Sequence, residues 1–180
     1  MRRLTSMLAA GLLAAATVLT TVGLSAGSAG AAVARQADIR FGTCPRVTIR
    51  AMPTRFMIGT PNRPVSGSAA ILRTKVNRTT IWLSCGTSTP GVRNFISLNG
   101  LLALTSRSET PGADVTLTPR HGIDGFASQR WTRVVVTPGR VFRYRNVKTH
   151  LWLRVRNSGP VGFQTVTTGS MATNWVVTSP

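Results

Sequence analysis

Short runs of alternating hydrophobic and polar residues dominate the chain after its N-terminal region. In Val47-Thr48-Ile49-Arg50-Ala51, for example, every second side chain is apolar, which is the period of a half-buried β-strand. Asn, Pro, Gly and Ser separate the runs, as expected of turns. Because no long 3.6-residue period appears, the pattern predicts an all-β fold with almost no helix. The predicted strands are 47–51, 56–58, 70–76, 79–85, 95–98, 101–105, 115–117, 131–136, 141–145, 151–155, 163–167 and 174–177.

The twelve predicted strands divide into three repeats of four. Trp82, Trp131 and Trp175 each lie in the last strand of a repeat, 49 residues apart (82 to 131) and then 44 (131 to 175). Three units of four short strands predict a β-trefoil. The expected repeats are about 44–88, 92–137 and 139–180.

Two spacings inside the second repeat recur in the third. Phe95-x-x-x-Asn99 corresponds to Phe142-x-x-x-Asn146, and Leu102-x-Leu104 corresponds to Leu151-x-Leu153. The first repeat shows only the strand rhythm and one Trp. It could therefore be a small additional β-subdomain instead of the unit that completes the trefoil.

Two motifs resemble those of the ricin B-type lectin family of β-trefoils. In that family each repeat contains Asn-x-x-Thr-x-x-x-Leu and ends with Gln-x-Trp; residues 146–153 match the first pattern, and Gln129-Arg130-Trp131 matches the second. The resemblance covers 92–177 and implies a β-trefoil that binds sugars.

The sugar pocket that this resemblance implies is incomplete. The family uses an Asp in the strand after the Asn-x-x-Thr segment and an Asn beside the closing Gln. Thr105 and Arg154 stand at the Asp position of the second and third repeats, and Ser128 stands at the Asn position. A neutral sugar would lose its main anchor without the carboxylate. Gln129 is therefore interpreted as structural, like the three repeat-marking residues Trp82, Trp131 and Trp175.

The N-terminal region has the pattern of an export signal. Arg2 and Arg3 precede an apolar run that ends in Ala32-Val33-Ala34, a small-x-small pattern typical of signal peptidase sites. We expect a signal peptide over 1–34, with cleavage after Ala34 or, less favourably, near 30–32. The alternative is a retained membrane anchor. Cleavage would leave 146 residues (180 − 34) without a transmembrane segment, and a secreted protein.

The charge of the chain is strongly positive. There are 22 Lys and Arg against 4 Asp and Glu, for a formal net charge of +18, or +16 without Arg2 and Arg3. Such a field favours anionic partners, including acidic glycans and other polyanions. The two cysteines, Cys44 and Cys85, predict a disulfide in an exported chain. Two cysteines and two distant histidines argue against a metal site, and no cofactor is expected.

One segment combines many cations with an aromatic residue. Alternation places Arg143 and Arg145 on the outer face of one strand, and Trp152, Arg154 and Arg156 on the outer face of the next. Arg140 and Lys148 lie at the ends of this surface. The expected ligand-binding residues are therefore Arg140, Arg143, Arg145, Lys148, Trp152, Arg154 and Arg156. Guanidiniums bind anions in two-point fashion and an indole can stack on a sugar. The alternative interpretation is a solvated strand face that prevents edge pairing.

Catalysis has little support in the sequence. Asp114 and Asp124 are the possible carboxylate pair of a hydrolase, but both lie in turn-like contexts. His121 and His150 also flank turns, and neither a nucleophile elbow nor a phosphate-binding loop occurs. The expected function is a secreted, non-enzymatic module that binds carbohydrate or another, anionic, polymer. The alternative is a protein-binding module, such as an inhibitor of secreted hydrolases acting through 118–128.

Overall fold

The computed structural model describes residues 44–122, 124–156 and 165–180; the expected signal peptide, residues 1–34, lies outside them. The described chain is built of strands, with a short 3₁₀ helix at Ala127–Gln129, so the all-β prediction is confirmed. None of its helices is long and apolar enough to cross a membrane. The strands are β1 (Arg46–Ala51), β2 (Met57–Gly59), β3 (Ile71–Arg73), β4 (Trp82–Gly86), β5 (Val92–Ser97), β6 (Leu102–Thr105), β7 (Thr116–Pro119), β8 (Trp131–Thr137), β9 (Val141–Asn146), β10 (Trp152–Arg156), β11 (Thr165–Gly169) and β12 (Trp175–Thr178).

Six of the strands pair in a closed ring. The antiparallel pairs run β1–β4, β4–β5, β5–β8, β8–β9, β9–β12 and β12–β1. Each of three consecutive units (unit 1, β1–β4; unit 2, β5–β8; unit 3, β9–β12) contributes its first and fourth strands. Unit 1 therefore completes the ring and is not a separate subdomain. Closure leaves none of these six strands as a free sheet edge.

The second and third strands of each unit form a hairpin outside the ring. The hairpins β2–β3, β6–β7 and β10–β11 are linked to one another by the pair Thr165↔Ile71 and by the bridges Ala69↔Thr116 and Asp114↔Thr167. We call these three hairpins the cap. A six-strand ring with a cap of three hairpins is the predicted β-trefoil.

Three buried tryptophans fasten the ring to the cap in the same way in every unit. The indole Nε1 of Trp82 donates to the carbonyl of Ile58 at 2.8 Å, that of Trp131 to Leu104 at 3.0 Å, and that of Trp175 to Leu153 at 3.2 Å. All six residues are fully buried. The recurring Trp residues are therefore structurally equivalent. The Leu102-x-Leu104 and Leu151-x-Leu153 correspondence is confirmed, because Leu104 and Leu153 accept equivalent hydrogen bonds.

The other predicted correspondence, between Phe95-x-x-x-Asn99 and Phe142-x-x-x-Asn146, is wrong by two residues. Trp131 pairs with Arg93 in β5, whereas Trp175 pairs with Phe142 in β9. Arg93 is therefore equivalent to Phe142, and Phe95 is equivalent to Tyr144. A shift of two residues preserves which side chains point inward, so alternation alone could not detect it.

The predicted disulfide between Cys44 and Cys85 is present. It joins Cys44, two residues before β1, to strand β4, with a sequence separation of 41 residues. Cys85 is buried in a small apolar cluster with Leu83, Ile96 and Ala103. Closing a loop of this length restricts the unfolded chain and stabilises the fold by about 4 kcal/mol in the chain-entropy model.

The Trp hydrogen bonds generate a stability prediction. Trp131→Phe keeps an aromatic ring but leaves the buried Leu104 carbonyl without its indole donor. We expect the free energy of unfolding to fall by about 1–3 kcal/mol, the usual cost of an unsatisfied buried polar group, measured by urea denaturation.

Trp152→Phe is the matched control. Trp152 is only partly buried and its indole makes none of the equivalent bonds in the described structure, so this substitution should change stability much less. Equal losses in the two variants would show that the indole hydrogen bond is not what stabilises the unit.

Candidate functional site

Strand β9 presents two arginines to solvent and two aromatic rings to the core. Its burial alternates, so that Phe142 and Tyr144 are buried while Arg143 and Arg145 are exposed. The Tyr144 ring packs edge-on against Phe95, with ring centroids 5.0 Å apart. Burial raises the pKa of Tyr144 from 10.0 to about 12. The aromatic anchors hold the strand so that its guanidiniums face outward.

The predicted hairpin between β9 and β10 is reduced to a single pair, Arg145↔Trp152. The reason is competition: β9 pairs with its ring neighbours β8 and β12, and β10 pairs with β11 over its whole length. The surface expected to carry four guanidiniums therefore divides into a contact at Arg145 and Trp152 and a separate cavity at Arg154 and Arg156.

The two exposed arginines of β9 are oriented by the protein. The guanidinium carbon of Arg145 lies 5.8 Å from the ring centroid of Trp152, within cation–π range. Its Nε donates to the carbonyl of His150 at 2.7 Å, and Nε of Arg143 donates to Oδ1 of Asn174 at 2.8 Å. Each guanidinium still has its two terminal NH₂ groups to offer to an anion.

Arg154 and Arg156 line a cavity of about 470 Å³ between units 2 and 3. Its other wall is the β6–β7 loop, and the described residues that line it include no acid. A Cβ at Gly169 would lie 2.6 Å from Cδ of Arg154, so a larger residue there would require the Arg154 side chain to move from its path across β11. The lining residues are Thr110, Pro111, Gly112, Ala113, Arg154, Arg156 and Thr167. The cavity offers guanidinium and hydroxyl donors to an anionic group.

The remaining predicted cations lie away from this cavity. Arg140 is exposed in the turn before β9, and Lys148 is exposed in the turn after it. They stand at opposite ends of β9, as expected from their positions in the sequence, and neither lines the cavity. The turn at Lys148 is shaped by Asn146, whose Oδ1 accepts hydrogen bonds from the backbone N–H groups of Lys148 and Thr149. This explains the Asn-x-x-Thr motif in structural terms.

Gln129 is a structural residue of the loop before β8. It is buried, and its Nε2 donates to Oγ1 of Thr118 at 2.9 Å and to the carbonyl of Pro119 at 2.7 Å. Its Oε1 accepts from the backbone N–H groups of His121 and Phe126, both at 3.3 Å. Gln129 thus ties the start of the β7–β8 loop to its end.

The two candidate catalytic carboxylates serve different parts of the fold. Asp124 accepts hydrogen bonds from the backbone N–H and the hydroxyl of Ser88, both at 2.8 Å, and these two bonds are the main reason that its pKa is lowered. Asp114 accepts from Oγ1 of Thr165 at 3.2 Å. Each carboxylate therefore has its own structural partner, Ser88 or Thr165, and within the described residues no hydrogen bond joins the two. Groups of three or more metal-ligating side chains do not occur in the described part of the chain.

A second basic cavity, of about 390 Å³, was not predicted from the sequence. It is lined mainly by unit 1, with Thr178 of unit 3 at its edge, and it contains Arg50 and Arg55. The sequence does not indicate it because β1 and β12, which meet there, are at opposite ends of the chain. Its lining residues are Thr48, Arg50, Arg55, Met57, Thr74, Val76 and Thr178.

No protein-family model matches the chain, and no curated protein matches it in sequence. Solved structures do resemble it. The designed threefold-symmetric protein ThreeFoil has a TM-score of 0.67 at 16% identity, covering 75% of this chain and 99% of that one. The Polyporus squamosus lectin bound to Neu5Acα2-6Galβ1-4GlcNAc has a TM-score of 0.63 at 11% identity, covering 76% and 49%. SeviL bound to asialo-GM1 saccharide has a TM-score of 0.57 at 15% identity, covering 76% and 98%. These likenesses establish the fold.

The raised pKa of Tyr144 generates a pH prediction. The unfolded tyrosine ionises near pH 10, whereas the folded one ionises near pH 12. The contribution of the neutral Tyr144 side chain to the free energy of unfolding is therefore complete below pH 10 and is lost as pH rises through about 12. The free energy of unfolding should fall by about 1.4 kcal/mol per pH unit between these values, as measured by denaturant titration.

Tyr144→Phe should lack this alkaline slope and remain folded at neutral pH, because the ring packing is kept. A Tyr144→Phe variant that loses stability above pH 10 as steeply as the parent protein would contradict the assignment.

Proposed function

We propose that this protein is a secreted, non-enzymatic module that binds an anionic carbohydrate polymer. The observation that carries the proposal is the cavity containing Arg154 and Arg156, on the same strand as the half-buried Trp152 and its partner Arg145. We call these four residues the unit 3 site.

Charge complementarity supports an anionic ligand. The chain carries a formal net charge of +18, and among the described residues the lining of the unit 3 cavity contains two guanidiniums and no carboxylate. Arginine binds sulfate, phosphate and carboxylate groups through paired N–H donors. An anion would also offset the repulsion between neighbouring guanidiniums.

The aromatic content of the site favours a glycan over a single-stranded nucleic acid. Trp152 is one half-buried platform, already covered in part by Arg145, whereas single-strand binders stack successive bases on several exposed aromatics. Among the similar structures, the Polyporus lectin is bound to a glycan ending in Neu5Ac, a sugar that carries a carboxylate. A protein that contains this fold can therefore take an acidic glycan as its ligand.

A binding role also fits the structural hydrogen bonds of the two aspartates. Asp114 and Asp124 hold the fold through Thr165 and Ser88, which gives a structural reason for both residues. Export is consistent with the disulfide, since disulfides persist in oxidising compartments. The expected cleavage after Ala34 is part of the same proposal.

A protein-binding role for the loop 118–128 is the second candidate. Phe126 is 55% exposed and stacks on His121 with ring centroids 4.0 Å apart, on a loop that Gln129 holds in place. An exposed aromatic on an ordered loop is a typical anchor for a protein partner. A pull-down against secreted hydrolases tests it, since such binding should persist at high salt.

The unit 3 site generates the main functional prediction. Binding of heparin oligosaccharides, measured by isothermal titration calorimetry, should weaken linearly in log K with log salt concentration. Arg154→Gln/Arg156→Gln should lower the affinity by about tenfold or more, because two charge-assisted contacts are lost. Trp152 should also report binding by fluorescence, since the other three tryptophans are fully buried.

Arg63→Gln/Arg78→Gln is the matched control, because it removes the same charge from exposed turns of unit 1. Equal weakening by both double variants would show that net charge alone drives binding. Failure to bind any polyanion at low salt, or tighter binding to RNA than to heparin of equal charge, would overturn the proposal.

A further inference from the structure

We propose that the cavity of unit 1, with Arg50 and Arg55, is a second anion-binding site. The proposal rests on the same ligand class as the proposed function, an acidic glycan, but on a different part of the molecule. We call Arg50, Arg55 and Met57 the unit 1 site.

Strand register makes the unit 1 site the structural counterpart of the Arg145–Trp152 contact. Arg50 pairs with Met57 between β1 and β2, as Arg145 pairs with Trp152 between β9 and β10. In both units the first strand supplies an exposed guanidinium, and the second strand supplies a large apolar side chain beside it. The resemblance between the two sites is therefore imposed by the repeat.

The corresponding face of unit 2 is closed. There the pair is Ile96↔Ala103, and both side chains are buried in the apolar cluster with Cys85 of the disulfide. Two of the three equivalent faces are thus open and cationic, and the third is covered. The difference matters because the fold by itself does not demand an arginine at this position.

The side chains of the unit 1 site are free to bind. Arg50 and Arg55 are exposed, and within the described residues neither has a carboxylate or hydrogen-bond partner through its side chain. The wall beside them is fixed, because Oγ1 of Thr48 and Oγ1 of Thr178 lie 2.9 Å apart in a hydrogen bond between β1 and β12. Met57 is 5% exposed and forms an apolar floor. Two guanidiniums over a fixed concave surface suit a sulfate or carboxylate group on a sugar.

Two separate sites on one domain would favour a polymer over a single sugar. A long acidic chain that engages both sites gains affinity from effective concentration without new contacts. A short oligosaccharide can occupy each site but gains nothing from their linkage. The dependence of affinity on the length of the acidic ligand therefore distinguishes a protein with two sites from a protein with one.

The test uses a heparin tetrasaccharide and full-length heparin in calorimetry at low salt. The parent protein should bind about two tetrasaccharides, and Arg50→Gln/Arg55→Gln about one, with at least a tenfold loss of affinity for full-length heparin. Arg63→Gln/Arg78→Gln, which removes the same charge from exposed positions that line neither cavity, should keep both sites. Circular dichroism and thermal melts establish that each variant is folded.

The two proposals fail in different ways. If Arg50→Gln/Arg55→Gln binds as many tetrasaccharides as the parent while Arg154→Gln/Arg156→Gln loses one, the unit 1 site is wrong and the unit 3 site stands. If only the unit 1 variant loses a tetrasaccharide, the proposed function of the unit 3 site is wrong. Loss of binding in equal measure in the charge-matched control overturns the unit 1 site as well.

Discussion

The fold depends on one interaction made three times, the hydrogen bond from a buried indole to a backbone carbonyl of the cap. Trp82, Trp131 and Trp175 each begin the last strand of a unit, and each donates to a backbone carbonyl of that unit's second strand. A buried indole N–H must have a partner, so each bond fixes the position of one ring strand relative to one hairpin. The strand registers that define the surface follow from this constraint.

A second hydrogen bond repeats with the same symmetry and joins each unit to the one before it. The backbone N–H groups of Met52, Leu98 and Val147 donate to the carbonyls of Asn174, Ile81 and Arg130. Each acceptor immediately precedes a repeat-marking tryptophan. The order of units around the ring is therefore held by the backbone, which leaves the outward-facing side chains free to differ between units.

The sequence was informative where the structure repeats and uninformative where the ends of the chain meet. Alternation predicted the twelve strands, because the period of two reflects burial on one face. It could not show that Phe95 and Tyr144 are equivalent positions, since a shift of two residues leaves the same side chains pointing inward. It also predicted a continuous Arg surface, because sequence cannot show that β9 is shared by β8 and β12. The unit 1 cavity needed coordinates, since Thr48 and Thr178 lie 130 positions apart.

The distribution of charge reflects the separation between an apolar core and a variable outer surface. The main core cluster consists of apolar side chains together with Tyr144 and the tryptophans, so the exposed arginines lie outside it. Repulsion among them must still be offset by the closed ring and the disulfide. Unit 2 shows the contrast: there the equivalents of Arg145 and Trp152 are Ile96 and Ala103, packed against the disulfide. Core packing and the proposed ligand binding thus use equivalent positions in different units, so one repeated framework is cationic on two faces and covered on the third.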